Sequence, residues 1–256
     1  MKAIKFLNIA AVFSLLGLGL QSCKLDDSKM DYDLVYPSAL VTVKPDAEGT
    51  GFYMQLDDKT VLIPTNITKS PYGDKEVRAL VNYTAAEPND ISASNAYNGS
   101  LDKKNVYLNW MDSILTKRML VPSDVSGSLG NDPVEIVNDW VTVVEDGYLT
   151  LRFRTLWGRG VTHFVNLIPV SDEKTPYHVK FCHDAKGDVF GEWADGLVAF
   201  RLDALPDTGD SVVDLVLDWD SFSGKKSVTF KYSTRKSIGT KSGSFIAEPI
   251  ATMKVE

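Results

Sequence analysis

The sequence predicts an all-β protein, a small five-stranded barrel followed by an antiparallel β-sandwich. Three observations carry this. Apolar residues recur at every second position in many short runs, turn-forming clusters separate the runs, and no long segment shows helical periodicity.

The runs come in order. Phe52, Met54 and Leu56 face one way and Tyr53, Gln55 and Asp57 the other. Val77, Ala79, Val81 and Tyr83 alternate with Arg78, Leu80 and Asn82. Leu149, Leu151 and Phe153 alternate with Thr150, Arg152 and Arg154. Val213, Leu215, Leu217 and Trp219 form another apolar row, and Val228, Phe230 and Tyr232 the last. Each run suits a half-buried antiparallel strand. Turns are expected at Asp57-Asp58-Lys59, Pro71 to Asp74, Glu145-Asp146-Gly147, Lys186-Gly187-Asp188 and Ser223-Gly224-Lys225. A polar, glycine-containing stretch from Ser123 to Asp132 divides about five runs from about six or seven more. It places a barrel domain at 36–121 and a sandwich domain at 122–256.

The first 22 residues read as a signal peptide. Lys2 and Lys5 precede an apolar run from Phe6 to Leu20, too short for a membrane span of about 20 residues. It ends Leu20-Gln21-Ser22-Cys23, a lipobox, with a small residue before the cysteine whose thiol takes the lipid. The other reading is an ordinary cleaved signal with a chance cysteine. Residues 23–35 then form an acidic tether. Lys24-Leu25-Asp26-Asp27 resembles the tail that sends lipoproteins to the outer face of the outer membrane, although a merely solvated tether has the same composition. The expected address is the outer membrane, facing the exterior, with the membrane as partner through two or three acyl chains on Cys23.

Composition narrows the partners. The chain carries 27 basic and 34 acidic residues, a net charge of −7. Removing the signal peptide takes two lysines and no acid, which deepens the charge to −9. Nucleic acid is not an expected partner, because phosphate binding needs clustered Lys and Arg. With Cys23 lipidated, Cys182 stands alone, so neither a disulfide nor a cysteine zinc cluster is expected.

Candidate chemistry is sparse. His163 and His183 are read as hydrogen-bonding near sheet surfaces, His178 shares a strand face with Cys182, and no metal or cofactor is expected. Cys182 is read as a half-buried filler, since His183 beside it points to the opposite face of a strand. No Gly-x-Ser-x-Gly elbow is present, and no catalytic residue is assigned. Trp157 and Trp193 fall near expected loops and are the candidate ligand contacts, although capping a sheet edge would also account for them. Trp110 and Trp219 are read as core.

A family resemblance accompanies these readings. The segments Phe52 to Leu62, Val77 to Tyr83, Asp112 to Lys117, Asn131 to Trp140, Thr162 to Leu167, Phe181 to Asp188 and Gly196 to Phe200, in this order, resemble the NigD-like lipoproteins. The resemblance implies an N-terminal OB-type barrel and a C-terminal β-sandwich. That family lacks an established catalytic motif and is named for a bacteriocin-associated gene cluster, so no site residue is carried over. The expected function is a non-catalytic surface lipoprotein, a binding or envelope-accessory module with no ligand assigned and with a glycan or an envelope protein as the candidate partner. The alternatives are a surface hydrolase acting on glycan or peptide, and a bacteriocin-associated role.

Overall fold

The computed structural model describes residues 32–46, 51–87, 97, 99–158, 160–170 and 174–235. The signal peptide, Cys23 and most of the tether lie outside the described residues. Apart from single helical turns at Tyr32–Val35 and Pro122–Asp124, the regular structure is β.

Five strands close the barrel: β1 (Ala39–Pro45), β2 (Phe52–Gln55), β3 (Thr60–Pro64), β4 (Val77–Ala85) and β5 (Asp102–Ser113). Their order is β1-β2-β3-β5-β4, with β4 returning to β1. The alternating rows decide what lies inside. Val41, Val43, Phe52, Met54, Leu62, Ala79, Val81, Val106 and Leu108 form the interior. The β2–β3 turn is fixed by Asp57, whose carboxylate accepts the backbone N–H groups of Lys59 and Thr60, both at 2.8 Å.

Nine strands build the sandwich: β6 (Leu115–Arg118), β7 (Glu135–Ile136), β8 (Val143–Glu145), β9 (Tyr148–Trp157), β10 (Phe164–Pro169), β11 (His178–Asp184), β12 (Glu192–Arg201), β13 (Val213–Ser221) and β14 (Gly224–Tyr232). One sheet has the order β10-β11-β13-β14 and the other β6-β12-β9-β7, with β8 also on β9. Leu149, Leu151, Phe153, Phe181, Phe200, Leu215, Leu217 and Trp219 fill the space between. Each sheet also carries one parallel pair, β11 with β13 and β12 with β6. Between β11 and β13 the chain crosses to the opposite sheet as β12, so β13 returns in the same direction as β11.

The domain boundary differs from the expected one. The chain leaves the barrel at Ile114, and Leu115–Arg118 already belongs to the sandwich. The polar stretch from Ser123 to Asp132 is a loop between β6 and β7; composition marks it as loop but not to which domain it belongs.

The two domains meet across a mixed interface. Leu40, Leu80 and Ile114 pack on Val141, Val143 and Leu197. Around them run three cross-domain ion pairs: Lys44 with Asp146 at 2.9 Å, Glu76 with Arg235 at 2.6 Å, and Arg78 with Glu145. Tyr148 Oη also donates to Glu76 at 2.7 Å. Asp146 can enter this seam because it sits in the tight β8–β9 turn at φ +48°, ahead of Gly147 at +76°.

Candidate functional site

The barrel offers little open sheet. The outer face of β2 and β3 presents Tyr53, Val61 and Ile63, and Tyr97 and Leu101 of the β4–β5 connection cover them. The Tyr53 and Tyr97 rings lie 4.9 Å apart, and Leu101 N donates to Tyr97 Oη at 3.0 Å. In OB folds the face on these strands takes oligonucleotides and oligosaccharides. Here the chain's own tyrosine fills it. The outer side of β1 and β4 is taken up by the β8–β9 turn through Lys44 and Arg78.

The sandwich differs at the end away from the barrel. Trp193 on β12 is 56% exposed and meets Phe222, 43% exposed, edge-on at 5.0 Å. Trp193 pairs with Leu156, and Trp157 pairs with Glu192. The two expected contact residues therefore occupy opposite faces of the sheet, because neighbouring strand positions alternate. Trp157 is half-buried, its Nε1 donating to the Val161 carbonyl at 3.3 Å. Only Trp193 belongs to the exposed platform. Trp219 lies in the core, as expected, at 7% exposure. Trp110 does not: it is half-buried, its Nε1 donating to the Leu34 carbonyl at 2.7 Å. It sits on the outer side of the barrel opposite Asn82, because the β4–β5 register shifts at Asn109 and this bulge turns Trp110 off the face of Val106 and Leu108.

Charged groups held in fixed geometry flank the platform. Two residues along β12, Asp195 accepts from Arg154 Nε at 2.5 Å and Nη2 at 3.0 Å, and from Arg152 Nε at 2.8 Å. Arg152 Nη1 reaches Asp139 at 2.7 Å. The hydrogen bonds from Arg154, then Arg152, hold the Asp195 carboxyl below the usual carboxylate range. On the neighbouring edge, Glu135 accepts from Lys226 and Ser221, at 2.8 and 2.7 Å. An aromatic face beside guanidinium and carboxylate groups suits a ligand with an apolar face and a hydroxylated rim.

A shallow depression next to the platform is lined by Pro133, Thr155, Leu156, Ala185, Val189 and Phe222. Its volume is about 10 Å3, room for one water molecule. A sizeable ligand at this depression would therefore lie over it on the surface.

Beneath it is a polar group that the sequence did not reveal. His163 and His183 are not surface hydrogen-bonders; they are 2% and 1% exposed and lie 3.0 Å apart, Nδ1 to Nε2. His163 Nε2 stands 3.3 Å from Asp188 Oδ2, and His183 Nδ1 3.2 Å from the Asp132 carbonyl. His183 continues the core-facing row of Val179 and Phe181, which carries it inside. Burial, and then the charge of the neighbouring His163, push its imidazole down to about 4. Cys182 is fully buried rather than half-buried, on the face opposite His183, and burial pushes its thiol up. A thiol in that state is inert. His178 is elsewhere, paired with Asp218 at 2.8 Å.

Comparison with known proteins agrees with this architecture. Residues 40–114 match the NigD-like N-terminal OB domain, and residues 118–232 the NigD-like C-terminal β-sandwich domain. No curated protein matches the chain. Among solved structures, the chain is similar to a protein from Parabacteroides distasonis described as toxin-related, at 33% identity over 77% of this chain and 92% of that one, with a TM-score of 0.61. It also resembles a NigD-like immunity protein from Bacteroides caccae, at 19% identity, 76% and 96% coverage and a TM-score of 0.52. A third structure, from Bacteroides fragilis and described as a lipoprotein, shares 13% identity over 77% of this chain and 98% of that one, with a TM-score of 0.54. The last two likenesses are of fold alone. Both domain matches follow one another without a gap beyond the start of β6, and the chain belongs to the NigD-like family.

Proposed function

We propose that the protein is a non-catalytic, lipid-anchored module of the outer-membrane surface that binds a glycan on the sandwich end. The observation that carries this is the exposed Trp193–Phe222 pair beside the fixed Arg154–Asp195 group. The tryptophan would stack on the apolar face of a sugar ring, and the charged rim would bond its hydroxyls. The lipobox at Cys23 supports the address, and the likeness to a protein described as a lipoprotein is in keeping with it.

The binding test is calorimetry of the protein against a panel of cell-surface polysaccharides. Trp193→Ala should weaken a measured affinity by about 30-fold or more, the loss of a binding hot spot. A panel without a binder, or a variant that binds as the parent does, overturns the glycan reading. The address is tested by proteinase accessibility on intact cells. The parent should be digested, and Cys23→Ala and the pair Asp26→Ala with Asp27→Ala should be protected. A lipidated parent that resists digestion overturns exterior display.

A second reading is favoured by the likeness to proteins described as toxin-related and as an immunity protein. In it the platform receives a bacteriocin. Protection of a sensitive strain by the parent, lost in Trp193→Ala, would select this reading over the glycan one.

A further inference from the structure

The buried histidine pair can be read by its protons. A backbone carbonyl only accepts, so His183 Nδ1 must donate to the Asp132 oxygen 3.2 Å away. His183 Nε2 and His163 Nδ1 share a second proton across 3.0 Å. The contact between His163 Nε2 and Asp188 Oδ2, at 3.3 Å, needs a third. An ionised carboxylate and two neutral imidazoles bring only two protons. With three, the group is electroneutral and every bond is made; with two, acceptor faces acceptor inside a site 4% exposed or less.

Among the described residues, the other donor on Asp188 is a backbone N–H, and the neighbouring carboxylates are engaged elsewhere. The Asp132 carboxylate accepts from Ala185 N at 2.8 Å, and Asp184 pairs with Lys186 at 2.6 Å. Phe153 is the ring neighbour of His183 on the core side, at 6.0 Å. From β9 comes the Gly158 N–H, which donates to both Asp188 oxygens at 2.9 and 3.0 Å. A side chain at Gly158 would start 2.5 Å from Asp188 Oδ1, so the approach requires glycine.

We propose that Asp188, His163 and His183 form a proton-operated clamp on this end of the sandwich. It takes up one proton on closing, and its loss as pH rises frees the Ala185–Gly191 loop from Gly158 and Asp132. The Asp188 carboxylate stands against His163 Nε2, whereas His183 meets a neutral backbone carbonyl, and this puts the extra proton on the His163–Asp188 side. The loop carries exposed Val189 and Phe190, and the depression it borders is shared with Phe222 and Leu156. The clamp would therefore set one lip of the platform. Only this last consequence rests on the glycan reading.

The test is nitrogen-detected NMR of the histidine rings in the full-length chain, from about pH 5.5 to about pH 9, with amide exchange of residues 185–191 followed in parallel. At the acid end His183 should be the neutral Nδ1–H form, and His163 should be protonated on both nitrogens. As that third proton leaves, exchange in the loop should quicken by about tenfold beyond its intrinsic pH dependence, a loss of roughly 1.4 kcal/mol of protection. Asp188→Asn is the second arm. The amide can donate to a neutral His163, so all three bonds form without an extra proton, and the excess pH dependence should vanish. A His163 carrying one proton throughout, or an unchanged pH dependence in Asp188→Asn, overturns the clamp. Both readouts stand whether or not any polysaccharide binds.

Discussion

Tyr53 and Trp193 are both aromatic residues on the outer face of a sheet, one in the barrel and one in the sandwich, and they meet opposite fates. Tyr53 is 4% exposed under Tyr97; Trp193 is 56% exposed with Phe222 edge-on beside it. The barrel covers the outer faces of β1 to β4 with internal contacts, against its own β4–β5 connection and against the β8–β9 turn, and leaves β5 open with Tyr107 exposed. The sandwich keeps an aromatic surface open at its far end. Under the proposed function the barrel acts as the base, and recognition falls to the sandwich. That reverses what the barrel's fold alone would suggest, because a fold does not fix where the site lies.

The contrast can be broken at its strongest point first. Arg78 is wholly buried between the domains, its Nη1 donating to Thr42 Oγ1 at 2.9 Å and its Nη2 pairing with Glu145. Arg78→Ala should cost about 3–5 kcal/mol in denaturant unfolding, since it strands the partner carboxylate. A loss below about 1 kcal/mol would mean that the barrel is not a fixed base. Next comes Tyr97→Ala. Removing this 4% exposed ring should cost about 3 kcal/mol. It should also uncover Tyr53, Val61 and Ile63, seen as new binding of a hydrophobic dye. No new dye binding would show that Tyr97 is not what closes the face.

Acid should act on the sandwich end. The His183 imidazole drops from 6.5 to about 4 on folding. The folded state thus binds fewer protons at this group. Its contribution is whole above about pH 6.5 and is lost as pH falls toward about 4, by up to about 3 kcal/mol. Thermal unfolding across that window should show the loss, and His183→Gln should flatten it. Smallest is Trp193→Ala, which should shift stability by less than about 0.5 kcal/mol while removing ligand affinity. A large destabilisation would make Trp193 a structural cap and remove the contrast.

The fold was legible where strands are long enough to alternate. Phe52-Tyr53-Met54-Gln55 and the rows on β9 and β13 announce their buried faces directly. The short strands β6, β7 and β8 offer two to four residues, too few for a period, so the boundary at Ile114 was missed. The site was legible only in part. Trp193 stands out in the sequence and is exposed in the fold, but its ring neighbour Phe222 comes from a distant hairpin. Its separation from Trp157 depends on the one-residue register between β9 and β12. The polar row of Arg152 and Arg154 is visible as alternation, yet Asp195 meets it only through strand pairing. The histidine pair was hidden for a different reason. Phe181-Cys182-His183 reads as a strand running out to a polar turn, and burial of its last residue follows from Asp132, Gly158 and Asp188 folding over it.

A single residue, Ile114, separates the last barrel strand from the first sandwich strand. Cutting there would bare Leu197, Val141 and Val143, part Glu145 from Arg78 and leave Asp146 with Arg235 but without Lys44. Neither half could be handed to a new neighbour without carrying its counterpart's surface along. Two recognisable domains thus travel as one unit, and the sandwich tip is a part of the surface where no such seam has to be matched.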